Sequence, residues 1–402
     1  MNNIKKIYCR VFQFVFRAAH PFLPYREPEI LTNVDCLTKK LKSLNINSVL
    51  LITDEVLRKT GTTSALEKNL DENKIKCTVY DKTRPNPTVI NVEEAYELYK
   101  RADCKVIIGF GGGSSIDCAK AVGARAAYPK KTLEQLKGLL KVWRKLPTLV
   151  AIPTTAGTGS EVTVTSVITD NEKRHKYTMN NFTFIPDYAV LSPEVTYTLP
   201  ANLTATTGID ALTHAVEAYI GGSTTKETRK LCLDAAKLIF ENIEIAYNEP
   251  ENRLARENML SAAYKAGIAF SKSYVGYIHA VTHSLGGWYN IPHGLANAVL
   301  MPIVLKEYGE CVYKKLHELG VYTGAADEND THKDGAEKFI EAVIRLNERL
   351  GIPDKLSCII KEDISKMAKY ADKEANPLYP VPVLMNAKEL EVFYYKVSDW
   401  SE

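Results

Sequence analysis

No stretch of the 402 residues approaches the ~18 consecutive apolar residues that a membrane-spanning helix needs. No two of the eight cysteines stand at CxxC spacing, and their scatter fits reduced, mostly buried thiols of a cytoplasmic protein better than a disulfide framework. An excess of one charge is also missing. The 51 Lys and Arg nearly cancel the 48 Asp and Glu, and a net charge of +3 makes no electrostatic case for nucleic-acid binding. Repeats and low-complexity tracts are absent, which leaves an ordinary globular chain of 45% hydrophobic and 25% charged residues. Its length suits two domains and a large core.

Residues 7–25, IYCRVFQFVFRAAHPFLPY, are aromatic and basic and contain no acid. Arg10, Gln13 and Arg17 interrupt any signal-peptide core, and no clear small-residue cleavage site follows. The expectation is an added amphipathic helix packed on the body or on a neighbouring subunit, with a peripheral membrane helix as the second reading.

Beyond this extension of residues 1–30, short apolar runs alternate with helical patterns. The runs are Ser48–Thr53, Ile75–Tyr80, Lys105–Gly109, Thr148–Ile152 and Tyr188–Leu191, with a helix such as Asn91–Ala102 among them. That alternation predicts a mostly parallel, Rossmann-like sheet covered on both faces over residues 31–200. After Pro200 strand signals stop. Segments such as LTHAVEAYI and KFIEAVIRLNERLG carry helical spacing, so 201–402 is read as an all-helical domain. A cleft between the two domains is the default place for ligands.

KVIIGFGGGSSIDCAKA, residues 105–121, runs from a buried strand through three glycines into a helix. Glycines let the backbone approach a pyrophosphate, and N–H groups at the helix start bind its charge. The loop is neither GxGxxG nor a Walker A sequence, and alone it could be a tight turn. The acid that selects a ribose usually comes ~20 residues after the glycines, and here it is misplaced for that order. Asp54, after the strand at 48–53, is the candidate instead, with a helix N-cap as its other reading. PTTAGTGSEVT, residues 153–163, offers a second cradle of small hydroxyl residues.

Asp210 and His214 stand four residues apart in a helical pattern, as do His279 and His283, and His293 follows in a Pro-His-Gly turn. One carboxylate with three or four imidazoles suits Fe(II), Zn(II) or Mn(II). Spacing does not say which three histidines bind, and it leaves a metal hydrolase open.

GGGSSIDCAKA, PTTAGTGSEVT, DALTHAVEAY and HAVTHSLGGWYNIPHGLANAVLMP together resemble the iron-containing (group III) alcohol dehydrogenases, which include lactaldehyde reductase and 1,3-propanediol and butanol dehydrogenases. The resemblance runs from about Asn47 to Pro302, strongest in those motifs. It implies a dehydroquinate synthase-like architecture and a metal-dependent hydride transfer between a small alcohol or diol and a nicotinamide. It implies Asp210, His214, His279 and His293 as metal ligands for Fe(II), with Zn(II) as the other metal. His283 matches a catalytic histidine near the nicotinamide that does not bind metal. Gly112, Gly113 and Ser114 match the pyrophosphate loop, and Asp54 matches the ribose acid that favours NAD over NADP. Asn86, Asp117, Thr154, Thr155, Thr158, Val167 and Lys176 match further cofactor contacts. A homodimer or higher homo-oligomer is the expected assembly. The rival reading is a dehydroquinate synthase-like lyase, which uses NAD transiently; net NADH accumulation distinguishes the two. Phe270, Tyr274 and Trp288 are candidates for lining the substrate pocket.

Overall fold

The computed structural model describes residues 1–19, 22–170 and 175–400, with the side chains of Phe16, His175 and Lys176 not among those described. The chain divides into two compact units. An α/β unit comprises 24–199 and 250–260, and a helical unit comprises 1–23, 200–249 and 261–402.

The α/β unit holds strands β1 (Glu29–Leu31), β2 (Ser48–Ile52), β3 (Lys76–Tyr80), β4 (Val106–Gly111), β5 (Gly138–Leu139), β6 (Thr148–Pro153), β7 (Thr165–Asp170), β8 (His175–Asn180) and β9 (Tyr188–Val190). Six of these form one sheet in the order β1-β9-β6-β4-β2-β3, and every neighbouring pair in it is parallel. The predicted parallel sheet is therefore present. Every residue of β2 and β4 is buried, as expected for central strands with helices on both faces. Alternation divides their side chains between two cores. Leu50, Ile52 and Ile107 enter one, while Val49, Leu51, Val106 and Ile108 enter the other. The helices of this unit are α2 (Val34–Ser43), α3 (Glu55–Lys59), α4 (Ser64–Glu72), α5 (Val89–Arg101), α6 (Gly113–Ala127) and α7 (Leu133–Leu136).

Strand order reverses between β2 and β4, since the chain runs outward to β3 on one side and to β6 and β9 on the other. Open α/β sheets bind ligands beyond the carboxyl ends of the strands at such a switch point. Register fixes what lies there. Ile52 pairs with Gly109, and Gly111 pairs with Pro153. Asp54, level with Gly111, and Gly112, level with Thr154, therefore leave adjacent strand ends within one residue of each other.

The helical unit contains α1 (Asn3–Ala19), α8 (Ala201–Ile220), α9 (Lys226–Asn248), the later part of α10 (Arg253–Ser273), α11 (Tyr277–Tyr289), α12 (His293–Tyr308), α13 (Glu310–Thr323), α14 (His332–Arg349), α15 (Ile364–Ala375) and α16 (Ala387–Val397). Helix α8 packs against α9 and α12, and α11 against α12 and α15. It is buried without a break from Gly208 to Ile220, so it forms the centre of this unit. None of the described helices is long and apolar enough to cross a membrane.

Candidate metal centre and cofactor loop

Burying an ionisable group costs free energy unless it finds partners. Helix α8 buries three: Asp210, His214 and Glu217 are 2%, 4% and 3% exposed. Successive turns of one helix bring them to one face. His279 on α11 and His293 at the start of α12 join them. One donor atom each from Asp210, His214, His279 and His293 lies within 4.8 Å of all the others. Asp210 Oδ1 is 3.4 Å from His293 Nε2 and 3.9 Å from His279 Nε2. Donors sharing one metal at 2.0–2.2 Å sit roughly 3.4 Å apart, so these are separations of neighbours in a coordination sphere.

The polar contacts fit a cation. Asn297, one turn after His293, places its amide nitrogen 2.6 Å from Asp210 Oδ1 and 3.2 Å from both His279 Nε2 and His293 Nε2. Three atoms that can each accept thus converge on a group with two hydrogens, more than it can satisfy. His279 Nδ1 is 2.6 Å from Glu217 Oε2, which turns Nε2 toward the cluster. Burial and the neighbouring imidazoles hold His279 well below the usual histidine range, in the neutral form that ligates metal. Glu217 also accepts the N–H groups of Gly276 and Ile278, both at 2.8 Å. Burial pushes its carboxyl up to about 7 against the pull of those donors. A Cβ on Gly294 would stand 2.3 Å from the Thr206 carbonyl oxygen, so only glycine lets the start of α12 approach α8 this closely.

His283 lies beside the cluster but outside the four-donor set. Its ring stacks on His293 at 5.2 Å between centroids. Its Nδ1 is 2.6 Å from Glu374 Oε1, which also accepts the Tyr379 hydroxyl at 2.8 Å. Of the three candidate pocket residues, Phe270 stacks on His214 at 4.2 Å and Trp288 packs edge-on against Tyr370. Tyr274 adopts a left-handed backbone at φ 64°.

The α/β unit places its predicted residues around the ends of β2, β4 and β6. Gly112 is the N-cap of α6, and Gly113 and Ser114 open that helix. Gly111 has φ +146°, and a Cβ there would meet Ser115 Oγ at 2.6 Å. A Cβ on Gly113 would lie 2.9 Å from the Thr158 methyl carbon, and one on Gly112 would lie 3.4 Å from the Thr155 methyl carbon. The second small-residue loop therefore packs directly on the first. Thr154 hangs from Gly111 through a backbone hydrogen bond of 3.0 Å. Asn86, at φ 59°, donates its backbone N–H to Ser114 Oγ at 3.2 Å. Asp54 caps α3, its Oδ1 accepting the Val56 and Leu57 N–H groups. The N-cap reading of Asp54 thus holds, and its carboxylate stays at the strand end.

Asp117 is a brace. It accepts Ser160 Oγ at 2.6 Å and the Val167 N–H at 3.0 Å, tying the 153–163 loop and β7 to α6. Lys176 lies on β8 opposite Thr169, its side chain outside those described.

Two family descriptions match successive parts of the chain. "Iron-containing alcohol dehydrogenase" covers residues 30–193, and "Fe-containing alcohol dehydrogenase family, C-terminal" covers residues 204–397. The chain belongs to the iron-containing alcohol dehydrogenase family. It is 36% identical to a 1,3-propanediol dehydrogenase of Citrobacter freundii over 365 residues, covering 90% of this chain and 94% of that one. It is 34% identical to an NAD-dependent methanol dehydrogenase of Bacillus methanolicus, covering 83% of this chain and 87% of that one. The crystal structure of a 1,3-propanediol oxidoreductase superposes with a TM-score of 0.88 at 34% identity, covering 93% of this chain and 98% of that one. This iron-containing alcohol dehydrogenase is thus a metal-dependent, nicotinamide-linked oxidoreductase of alcohols and aldehydes.

Several groups around these sites are not evident from sequence patterns. Glu217 carried a signal, because it follows His214 by three residues and Asp210 by seven on one helical face. Glu374, 91 positions from His283, carried none. Lys120 and Glu161, 1% and 2% exposed, lie within the two recognised motifs and were passed over. Lys120 Nζ ties α6 to the Thr163 and Thr165 carbonyls, and burial lowers it to about 8.

Proposed function

We propose that Asp210, His214, His279 and His293 hold one divalent ion, Fe(II) with Zn(II) as the alternative, and that the glycine loop binds NAD in preference to NADP. The convergence of those four donors within 4.8 Å carries this reading. Bound there, the ion supplies Lewis acidity to an alcohol or carbonyl oxygen, and the nicotinamide gives or accepts hydride. The chain's own residues do the rest. Glu217 fixes the orientation of His279, and Asn297 spans Asp210, His279 and His293. The N–H groups at the start of α6 receive the pyrophosphate, and Ser114 adds a hydroxyl. Asn86, Thr154, Thr155, Thr158, Val167 and Lys176 complete the cofactor's surroundings, with Asp117 bracing the loop that carries three of them. Asp54 places negative charge where a 2′-phosphate would arrive.

We assign proton transfer to His283. Its Nδ1 lies 2.6 Å from Glu374 Oε1, which fixes the orientation of the ring. The substrates are small primary alcohols or diols and their aldehydes, the compounds named for the relatives.

Metal analysis of anaerobically purified protein tests the assignment, read beside rates with NADH and NADPH. The expected result is one ion per chain and faster turnover with NADH. A metal-free protein that turns over equally well would refute it.

A further inference from the structure

Helix α1 is docked the wrong way round for a soluble protein. Its side toward the body buries a thiol and an amide, Cys9 and Gln13, at 1% and 6% exposure. Gln13 donates to the Pro377 and Tyr379 carbonyls, Arg10 to those of Val381 and Pro382, and Arg17 to that of Gly222. Lys5 pairs with Asp372. Polar groups and the half-buried Phe12 attach this helix, and six of its apolar side chains point away. Ile4, Ile7, Tyr8, Val11, Phe14 and Val15 are each 56–81% exposed. Their spacing of three and four residues makes one continuous stripe along the helix. Phe22, just past its end, is 88% exposed and extends the apolar surface. A surface helix normally turns such a stripe inward, so a stripe held outward by five side-chain hydrogen bonds to the body marks an interaction site.

Charge decides between occupants. The helix sequence NIKKIYCRVFQFVFRAA has four cations and no acid. Arg10 and Arg17 donate to neutral carbonyls, and the described residues show no ion pair for either. Lys6 makes no ion pair within 4 Å among the described residues, and its electrostatic partner there is Glu389. A second copy would bring the same excess of cations against these. An anionic lipid surface complements both the charge and the stripe. We propose that α1 is an interfacial helix that holds the enzyme on an anionic bilayer surface, its Ile4–Val15 stripe entering the headgroup boundary while its polar side stays bound to the helical unit.

Sedimentation of the full-length protein with vesicles tests this, using phosphatidylcholine alone and phosphatidylcholine mixed with phosphatidylglycerol. The expected result is retention on the mixed vesicles, at least about tenfold weaker on phosphatidylcholine alone and weakened by high salt. Phe14→Glu and Val11→Glu are expected to abolish retention, with aldehyde turnover and circular dichroism unchanged. Phe14→Ser serves as a milder variant should the carboxylate disturb the fold, and it too is expected to weaken retention. Absence of binding to either vesicle overturns the proposal, as does binding that survives all three substitutions. A dimer in sedimentation equilibrium that Phe14→Glu splits, without lipid binding, assigns the stripe to a second copy and also overturns it.

Discussion

In the helical unit, four ionisable side chains from three helices bring donor atoms within 4.8 Å of one another, and hydrogen-bonding neighbours hold Asp210, His279 and His293. In the α/β unit, the end of β4 offers almost no side chain. Gly112 and Gly113 present backbone N–H groups, and Thr155 and Thr158 occupy the space their missing Cβ atoms leave. One site is made of particular chemical groups, and the other is made of room. The difference teaches how each tolerates change. A side-chain site fails when a donor is lost, because the remaining buried groups cannot replace it. A backbone site degrades by degrees, because an added atom displaces neighbours without removing the N–H groups.

That contrast can be broken by mutation. The largest effect is expected for His279→Ala, which should abolish metal binding and turnover while circular dichroism shows the fold intact. An active, metal-replete variant would remove His279 from the ligand set. Glu217→Gln should come next, weakening metal affinity about 10- to 100-fold in a chelator competition, since it loosens a ligand without deleting it. Affinity equal to wild type would show that His279 needs no such support.

The loop variants should be milder. Gly113→Ala puts a methyl group 2.9 Å from the Thr158 methyl carbon. It should weaken NADH binding about tenfold in a fluorescence titration and leave metal content untouched. Loss of metal in that variant would contradict the separation of the two sites. Asp54→Gly should raise the NADPH-to-NADH ratio of kcat/KM by about tenfold, by removing charge that opposes a 2′-phosphate. An unchanged ratio would leave Asp54 as a helix cap and nothing more.

The smallest effect concerns pH. Burial pushes the Glu161 carboxyl from 4.5 up to about 7. Between those values the folded chain keeps a proton that the unfolded chain has released, so this group's contribution to stability falls as pH rises through the window. Glu161→Gln should flatten that slope by at most about 3 kcal/mol, read from urea midpoints at both ends of the window. An identical slope in the variant would place Glu161 outside this balance.

What could be read in the sequence follows from the same contrast. The i, i+4 pairs Asp210/His214 and His279/His283 are visible because helical spacing is fixed and histidines are few. The glycine run is visible because it replaces side chains where a strand meets a helix. Its strand is longer than its apolar run, since β4 continues to Gly111. Strand β1, three residues at the edge of the sheet, lies across the expected end of the extension and is too short to show alternation. The small sheet of β5, β8 and β7 was also passed over, although Thr165–Asp170 alternates in burial for four residues. Glu374 was illegible because tertiary packing alone brings it to His283. The outward face of α1 was illegible for a different reason. An amphipathic pattern shows that a helix has two faces and leaves open which of them meets the body.

The most direct measurement is NADH consumption with a panel of short aldehydes, using anaerobically purified protein reconstituted with Fe(II) or Zn(II). Turnover that appears with the metal and disappears on chelation is the predicted result. Silence with either metal while NAD still binds would contradict the account, as would undiminished turnover in the chelated protein.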